Sequence, residues 1–140
     1  MFAEMNQSMV YFTRGTKNLN GTGYIELLPG KFDGKFWNEN SLFIDHDIFN
    51  WIEPFIIKYF PAFEPYDFRI IESEIWSNIS QDIEETIQTL NNGGDRESLG
   101  FAFRSIKNFQ SEYFIQILTE FNSWLKPVIS EYRSISLLGL

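Results

Sequence analysis

The first part of the chain alternates between short β-prone runs and turn residues. β-Branched and aromatic residues cluster in four runs, which we predict as strands: 9–13, 24–28, 35–37 and 41–44. Glycines and a proline separate these runs, and Pro29-Gly30 suits a type II turn because glycine supplies the positive φ. The pattern predicts an antiparallel meander of three or four strands, and a further strand over 66–71.

Helical spacing of apolar residues begins after Asp45. The first predicted helix carries its apolar positions over 48–59, with Asp45 or Asp47 as N-cap. Pro54 should kink this helix or delay its start, because proline removes an amide donor and crowds the preceding turn. The second helix should start with Ser73 as its cap and stop at the Asn-Gly run 91–94.

A third helical stretch is predicted over 98–126. It should break near 108–111, because an unbroken helix of that length would overreach a small domain. Pro127 should end or bend it, and the tail 135–140 is either a docked strand or a frayed end. We therefore expect an α+β fold in one domain spanning 1–140, an N-terminal antiparallel β-meander of three to four strands packed against three to four helices.

Composition adds two expectations. With fifteen Phe, six Tyr and four Trp, the chain has more rings than its interior needs, so several should be partly exposed as interface anchors. A Phe-rich core is the alternative explanation. The chain has no Cys, which excludes disulfides and thiolate metal sites. No signal peptide or membrane-spanning run is visible, so we expect a cytoplasmic protein.

The charge is concentrated in the middle of the sequence. The net charge is −8, and residues 36–95 hold twelve acids but only two bases, Lys58 and Arg69. Such an anionic region disfavours nucleic acid and anionic membrane surfaces as direct ligands. A cationic macromolecule is the partner that this field would attract.

The predicted second helix is the best candidate for a binding surface. Its spacing places Glu74, Asp82 and Glu85 opposite the isoleucine stripe, and no Lys or Arg occurs from 70 to 94 to pair with them. Uncompensated like charges indicate a surface arranged for a partner. The predicted partner-binding residues are Asp67, Glu72, Glu74, Asp82 and Glu85. The alternative is a solvated face that is kept negative for solubility.

Catalytic, metal and cofactor motifs are missing from the sequence. His46, the only histidine, lies between Asp45 and Asp47 where capping residues are expected, and it has no clustered ligands for a metal site. The glycines at 21–23 and 93–94 match neither phosphate-loop pattern. Nineteen acids also guarantee some carboxylate pair by chance, so no glycosidase pair is assigned. We predict no catalytic residue, metal or cofactor.

A small, Cys-free, acidic, aromatic-rich α+β protein without catalytic motifs resembles the immunity proteins of bacterial toxin systems, such as those paired with contact-dependent inhibition toxins. The resemblance is one of general character and carries no motif. It implies a protein that binds a cognate toxin domain, often a basic nuclease, and blocks its active or substrate-binding surface.

Two other functions stay open at this point. One is a structural or assembly subunit that buries its apolar tail and surface rings against a copy of itself, since the sequence does not fix the oligomeric state. The other is an enzyme of unrecognised type that uses carboxylates and His46.

Overall fold

The computed structural model describes residues 9–21, 23–64, 67–99, 103 and 109–139. The elements in chain order are β1 Thr13–Arg14, β2 Tyr24–Pro29, β3 Leu42–Asp45, α1 His46–Ile57, β4 Phe68–Glu72, α2 Ser73–Asn91, α3 Ser111–Glu131 and β5 Ser134–Gly139. A short 3-10 helix, Arg96–Leu99, follows α2. The expected α+β class is confirmed, with slightly more strands than predicted. The predicted elements also include Tyr66, Ile106 and Leu140, which lie outside the described residues.

The strands form one five-stranded antiparallel sheet in the order β1-β3-β2-β5-β4. The N-terminal strands are not in simple meander order, since β1 pairs with β3. The C-terminal tail is a docked strand, because β5 lies between β2 and β4 and its residues are buried throughout. The two edges of the sheet are β1 and β4.

One face of the sheet packs on the helices, and the other is covered by a loop. Alternating apolar residues join the helices in a single core: Ile25, Leu27, Leu42, Ile44, Ile71, Ile135 and Leu137. Trp76 of α2 and Phe121 of α3 are fully buried in it. The opposite face carries Phe43, and the Trp37 ring from the segment between β2 and β3 stacks on it at 5.4 Å. We call that segment, residues 31–41, the cover loop.

The predicted strand at 35–37 is wrong. The fully buried carboxylate of Glu26 accepts hydrogen bonds from the Trp37 and Asn38 amides at 2.8 and 3.0 Å. It also accepts from Asn38 Nδ2 at 2.9 Å and from Ser41 Oγ at 2.6 Å. Trp37 therefore adopts a positive φ of 66°, and its backbone is held by a side chain instead of a neighbouring strand.

The helix ends agree with the sequence only in part. Asp45 caps α1 as predicted, since its carboxylate accepts from the Ile48 amide at 2.9 Å. Ser73 does not cap α2: it is the first helical residue, its amide donates to the carbonyl of Arg133, and Glu72 takes the cap position without a side-chain bond. The predicted stop after Asn91 is confirmed, with Gly93 at a φ of 91°.

Both prolines are tolerated inside helices. α1 begins at His46 and includes Pro54, so of the two expected effects of this proline, a kink or a late start, the late start does not occur. α3 begins at Ser111, in line with the expected break, but continues past Pro127 to Glu131, so Pro127 does not end it. The residues four positions earlier, Asn50 and Ser123, are exposed. The carbonyl of each of these residues loses the amide donor that a residue other than proline would supply.

Candidate functional site

The predicted acidic residues separate into exposed and internally bonded carboxylates. Glu74 and Glu85 are exposed on α2. Asp82 is not: only 17% of its side chain is exposed, and its carboxylate lies 3.1 Å from Lys58 Nζ. Tyr59 also donates its hydroxyl to Asp82 at 2.6 Å. The expectation that Asp82 is an uncompensated charge is therefore wrong, because Lys58 reaches it from the end of α1.

A second pair bridges α2 and α3. Glu84 of α2 is bonded to Lys126 of α3, so this carboxylate is also matched by a base from a distant part of the sequence. Both side chains remain about half exposed, and a pair of this kind contributes little to stability. The exposed face of α2 is consequently less anionic than the sequence indicates, and its middle carries neutral polar residues, Ser77, Asn78 and Gln81.

The remaining predicted residues gather where β4 joins α2. Glu72 ends β4 and is exposed, and Glu74 lies in the first turn of α2, where the helix dipole favours an acid. Asp67 immediately precedes β4 and is half-buried, and its carboxylate accepts from the Glu64 amide at 3.0 Å. Glu85 lies about 16 Å further along α2, from the helical rise per residue.

Exposed apolar side chains lie in the same place. Phe68 and Ile70 of β4 are 53% and 50% exposed, which is unusual for large hydrophobic residues of a strand. Phe68 contacts two rings of the cover loop, with centroid distances of 5.9 Å to Phe32 and 5.3 Å to Phe36. We call the strand Phe68–Glu72 with these exposed side chains the β4 edge surface.

Sequence reasoning did not select Phe68 or Ile70 as binding residues. The alternation gave a partial signal, because Phe68 and Ile70 share one face of the strand while Ile71 occupies the other, so both faces of the strand carry apolar residues. The general expectation of partly exposed rings is confirmed at Phe68 and at Tyr132.

The one base of this stretch does not face the exposed carboxylates. Residues 64–74 hold four acids and a single base, Arg69. The Arg69 guanidinium lies over the Phe60 ring at 4.6 Å, on the side of the sheet opposite to Phe68, Ile70 and Glu72. Within the described part of the chain, no ion pair involves Glu72 or Glu74.

A pocket next to Asp82 is lined by ionisable side chains. It has a volume of about 430 Å³ and is lined by Asp82, Lys58 and Phe103, among others. Burial, and then the hydrogen bond to Asp82, raises the pKa of the Tyr59 phenol, and the bond to Asp82 raises the pKa of Lys58. Both groups therefore keep their protons at neutral pH, which favours a structural network over a catalytic base or nucleophile.

His46 and the carboxylates beside it do not assemble into a metal centre. Asp45 is used as the cap of α1, and His46 is the first residue of that helix. Across the residues that the structure describes, no group of three or more His, Asp or Glu side chains is arranged to hold a metal ion. None of the helices in that part of the chain has the length and hydropathy needed to cross a membrane.

Comparison with known proteins gives no relative for this fold and site. No protein-family model, no curated protein and no solved structure matches the chain. Functional assignment therefore depends on the geometry of the chain itself.

Proposed function

We propose that this protein is a binding protein that neutralises a cognate, basic toxin domain by stoichiometric occlusion of its active or substrate-binding surface. The observation that carries the proposal is the junction of β4 and α2, where exposed carboxylates adjoin exposed apolar side chains. Glu72 and Glu74 supply the charge, and Phe68 and Ile70 supply the apolar contact.

Electrostatics and apolar burial have different roles in such an interface. Long-range attraction between a net charge of −8 and a cationic surface speeds encounter and selects the partner. Large apolar side chains such as Phe68 and Ile70 then contribute most of the affinity when a partner covers them. A nuclease groove is cationic because it must hold phosphates, so a carboxylate-lined surface can occupy it in place of the nucleic acid.

The proposed contact set differs from the one predicted from the sequence. Glu72, Glu74 and Glu85 are retained because they are exposed, and Asp67 is retained at the margin because it is half-buried. Asp82 is left out because its carboxylate is already bound by Lys58 and Tyr59. We place the action of the protein in the cytoplasm, with which the lack of cysteine is compatible.

The test uses the protein encoded by the gene immediately upstream. The two proteins are co-expressed, the complex is sized by light scattering, and its Kd is measured by calorimetry in about 50 and 300 mM NaCl, which span short and long screening lengths. We expect a one-to-one complex that weakens as salt rises. Failure to form a complex, or an affinity that does not respond to salt, would contradict the proposal.

Matched charge reversals locate the contact. The double variant Glu74→Lys/Glu85→Lys changes the acidic face of α2, and Glu112→Lys/Glu131→Lys makes the same charge change at exposed positions of α3. We expect the first pair to weaken binding by about tenfold or more and the second by much less, since only close charges couple strongly. Equal effects of the two pairs would show that only net charge matters, and the assignment to α2 would then be wrong.

A further inference from the structure

The pairing of β4 with β5 fixes which backbone groups of β4 face outward. The Gly139 amide donates to the Asp67 carbonyl at 3.1 Å, and the Ser73 amide donates to the Arg133 carbonyl at 2.8 Å. These two bonds flank non-hydrogen-bonded pairs, Phe68 with Leu138 and Glu72 with Ser134.

The alternation of bonded and non-bonded pairs along an antiparallel ladder then determines the direction of the other backbone groups of β4. Arg69 and Ile71 exchange their amide and carbonyl bonds with β5, whereas the amides and carbonyls of Phe68 and Ile70 face the outer side of β4. Within the described residues, β4 pairs with β5 alone. An edge strand with outward-facing backbone groups is a template for a further strand.

The same two residues carry the exposed side chains of the β4 edge surface. A strand added at this edge would bond to the backbone of Phe68 and Ile70 and would also cover their side chains, each about half exposed. Backbone bonds supply affinity in this mode, and alternate side chains supply specificity. Both components therefore occur at one position of the fold.

The charges around β4 indicate which strand fits. Glu72 lies on the same face as Ile70, and Glu74 follows directly in α2, so one end of the β4 edge surface is anionic. Phe68, at the other end, contacts Phe32 and Phe36 of the cover loop, which also carries the exposed Lys31 and Lys35. The incoming strand should be apolar at the Phe68 end and basic at the Glu72 end.

We propose that the outer edge of β4 accepts an extended segment of the cationic partner as a sixth strand of the sheet, with basic side chains placed against Glu72 and Glu74. This inference rests on the proposed function and specifies its mode of contact. Two copies of a chain with a net charge of −8 would repel each other overall, so a cationic segment is the favoured occupant of this edge.

A peptide probe tests the inference independently of any natural partner. The probe is a capped synthetic peptide in which valine alternates with threonine in one half and with lysine in the other. Its control carries glutamate in place of lysine. Amide exchange of the free protein, followed by NMR, should show fast exchange at Phe68 and Ile70 and slow exchange at Arg69 and Ile71. The basic peptide should slow amide exchange at Phe68 and Ile70. The acidic peptide should bind at least about tenfold more weakly than the basic one.

Two variants separate strand addition from adventitious attraction to an acidic protein. Ile70→Pro removes an outward amide and leaves the bonds to β5 in place, which the protection of Arg69 and Ile71 verifies. Glu72→Lys keeps the strand and reverses the charge. Both should abolish or strongly weaken peptide binding. Unchanged binding in Ile70→Pro, or no protection at Phe68 and Ile70 in the native chain, would overturn the inference.

The outcomes for the mode and for the function can be told apart. A complex with the upstream-encoded protein that leaves the β4 amides unprotected would preserve the proposed function and overturn strand addition. Protection of the β4 amides by the basic peptide, without a complex with the upstream-encoded protein, would preserve strand addition and overturn the proposed function. A dimer seen by light scattering and lost in Ile70→Pro would identify a second copy as the occupant and overturn the basic segment.

Discussion

The two edges of the sheet differ in how far their backbone amides are already hydrogen-bonded within the chain. At one edge, β1 is only two residues long, and the chain before it is held by a carboxylate of α3. Glu120 accepts hydrogen bonds from the amides of Val10, Tyr11 and Phe12 at 2.8, 2.7 and 3.0 Å. A short strand with its neighbouring amides already bonded offers little to another chain.

A second carboxylate fixes the same end of the molecule. Glu39 of the cover loop accepts from the amide and the hydroxyl of Thr16, just after β1, at 3.0 and 2.6 Å. Those bonds lower the pKa of the Glu39 carboxyl. Gly15 is required beside it, because a Cβ there would lie 2.9 Å from the Glu39 carbonyl oxygen and its φ is 70°.

At the other edge, formed by β4, the nearby carboxylates are exposed instead of internally bonded. Glu72 ends β4 and Glu74 follows in α2. Within the described residues, neither carboxylate accepts an outward amide of the strand, and the side chains of Phe68 and Ile70 are exposed. Glu120 and Glu39 at the β1 edge are therefore internal acceptors, whereas Glu72 and Glu74 at the β4 edge are exposed. A count of charges along the sequence cannot distinguish these two roles.

Proline substitutions at neighbouring positions of β4 should have the largest effect on stability, and they test which of its backbone groups face outward. Arg69→Pro removes a bond to β5 and should destabilise the fold by about 3 kcal/mol, since a buried carbonyl is left unpaired. Ile70→Pro removes an outward amide and should cost about 1 kcal/mol or less. Urea unfolding of both variants measures the difference. Equal losses would show that the assignment of outward groups is wrong.

Loss of the buried carboxylate under the cover loop should have the next largest effect. Glu26→Gln replaces an acceptor of several bonds with an amide that presents its own donor, so it should destabilise the protein by about 2 kcal/mol. Glu112→Gln, on the surface of α3, is the control and should change stability by less than about 0.5 kcal/mol. A loss in Glu26→Gln no larger than in the control would refute the structural role of Glu26.

Local features of the fold could be predicted from the sequence. The α+β class, the Asp45 cap and the stop of α2 near Gly93 all follow from periodicity and short-range hydrogen bonding. The interior position of β5, between β2 and β4, could not be predicted, because both partners are distant from it in sequence. The strand predicted at 35–37 failed because the Glu26 side chain binds the amides of Trp37 and Asn38, a tertiary contact that strand propensity does not show.

The site was predicted only in outline for a related reason. Glu72, Glu74 and Glu85 were selected by charge and are exposed, but Asp82 was grouped with them although Lys58 neutralises it. An absence of bases within 70–94 says nothing about bases that tertiary packing brings in. Phe68 was missed because only the sheet order shows that its strand lies at an edge.

A substitution at the β1 edge should have a smaller effect on stability, and it tests whether Glu120 holds the segment that precedes β1. Glu120→Ala removes the acceptor shared by the amides of Val10, Tyr11 and Phe12, so these amides should exchange much faster. The global loss of stability should be about 1 kcal/mol, because water can replace part of the lost bonding at this partly exposed site. Ser123→Ala, on the neighbouring surface of α3, is the control. Unchanged exchange in Glu120→Ala would show that its carboxylate does not hold this segment.

The smallest predicted effect concerns the stability cost of Glu53, a partly buried carboxylate of α1. Burial, and then the charge of Glu64, raises the pKa of the half-buried Glu53 carboxyl in α1. The folded chain therefore holds that proton more tightly than the unfolded chain, and stability falls as pH rises from the ordinary glutamate pKa through the raised one.

Glu53→Gln should raise the Tm slightly at about pH 7 and leave it unchanged at about pH 3, where the native carboxyl is protonated in both the folded and the unfolded state. Glu64→Gln should give a smaller rise, since it removes only the second cause. A gain of equal size at both pH values would mean that the carboxyl charge is not what destabilises the fold. A gain confined to neutral pH would show that the ionised Glu53 carboxylate costs stability in the folded chain.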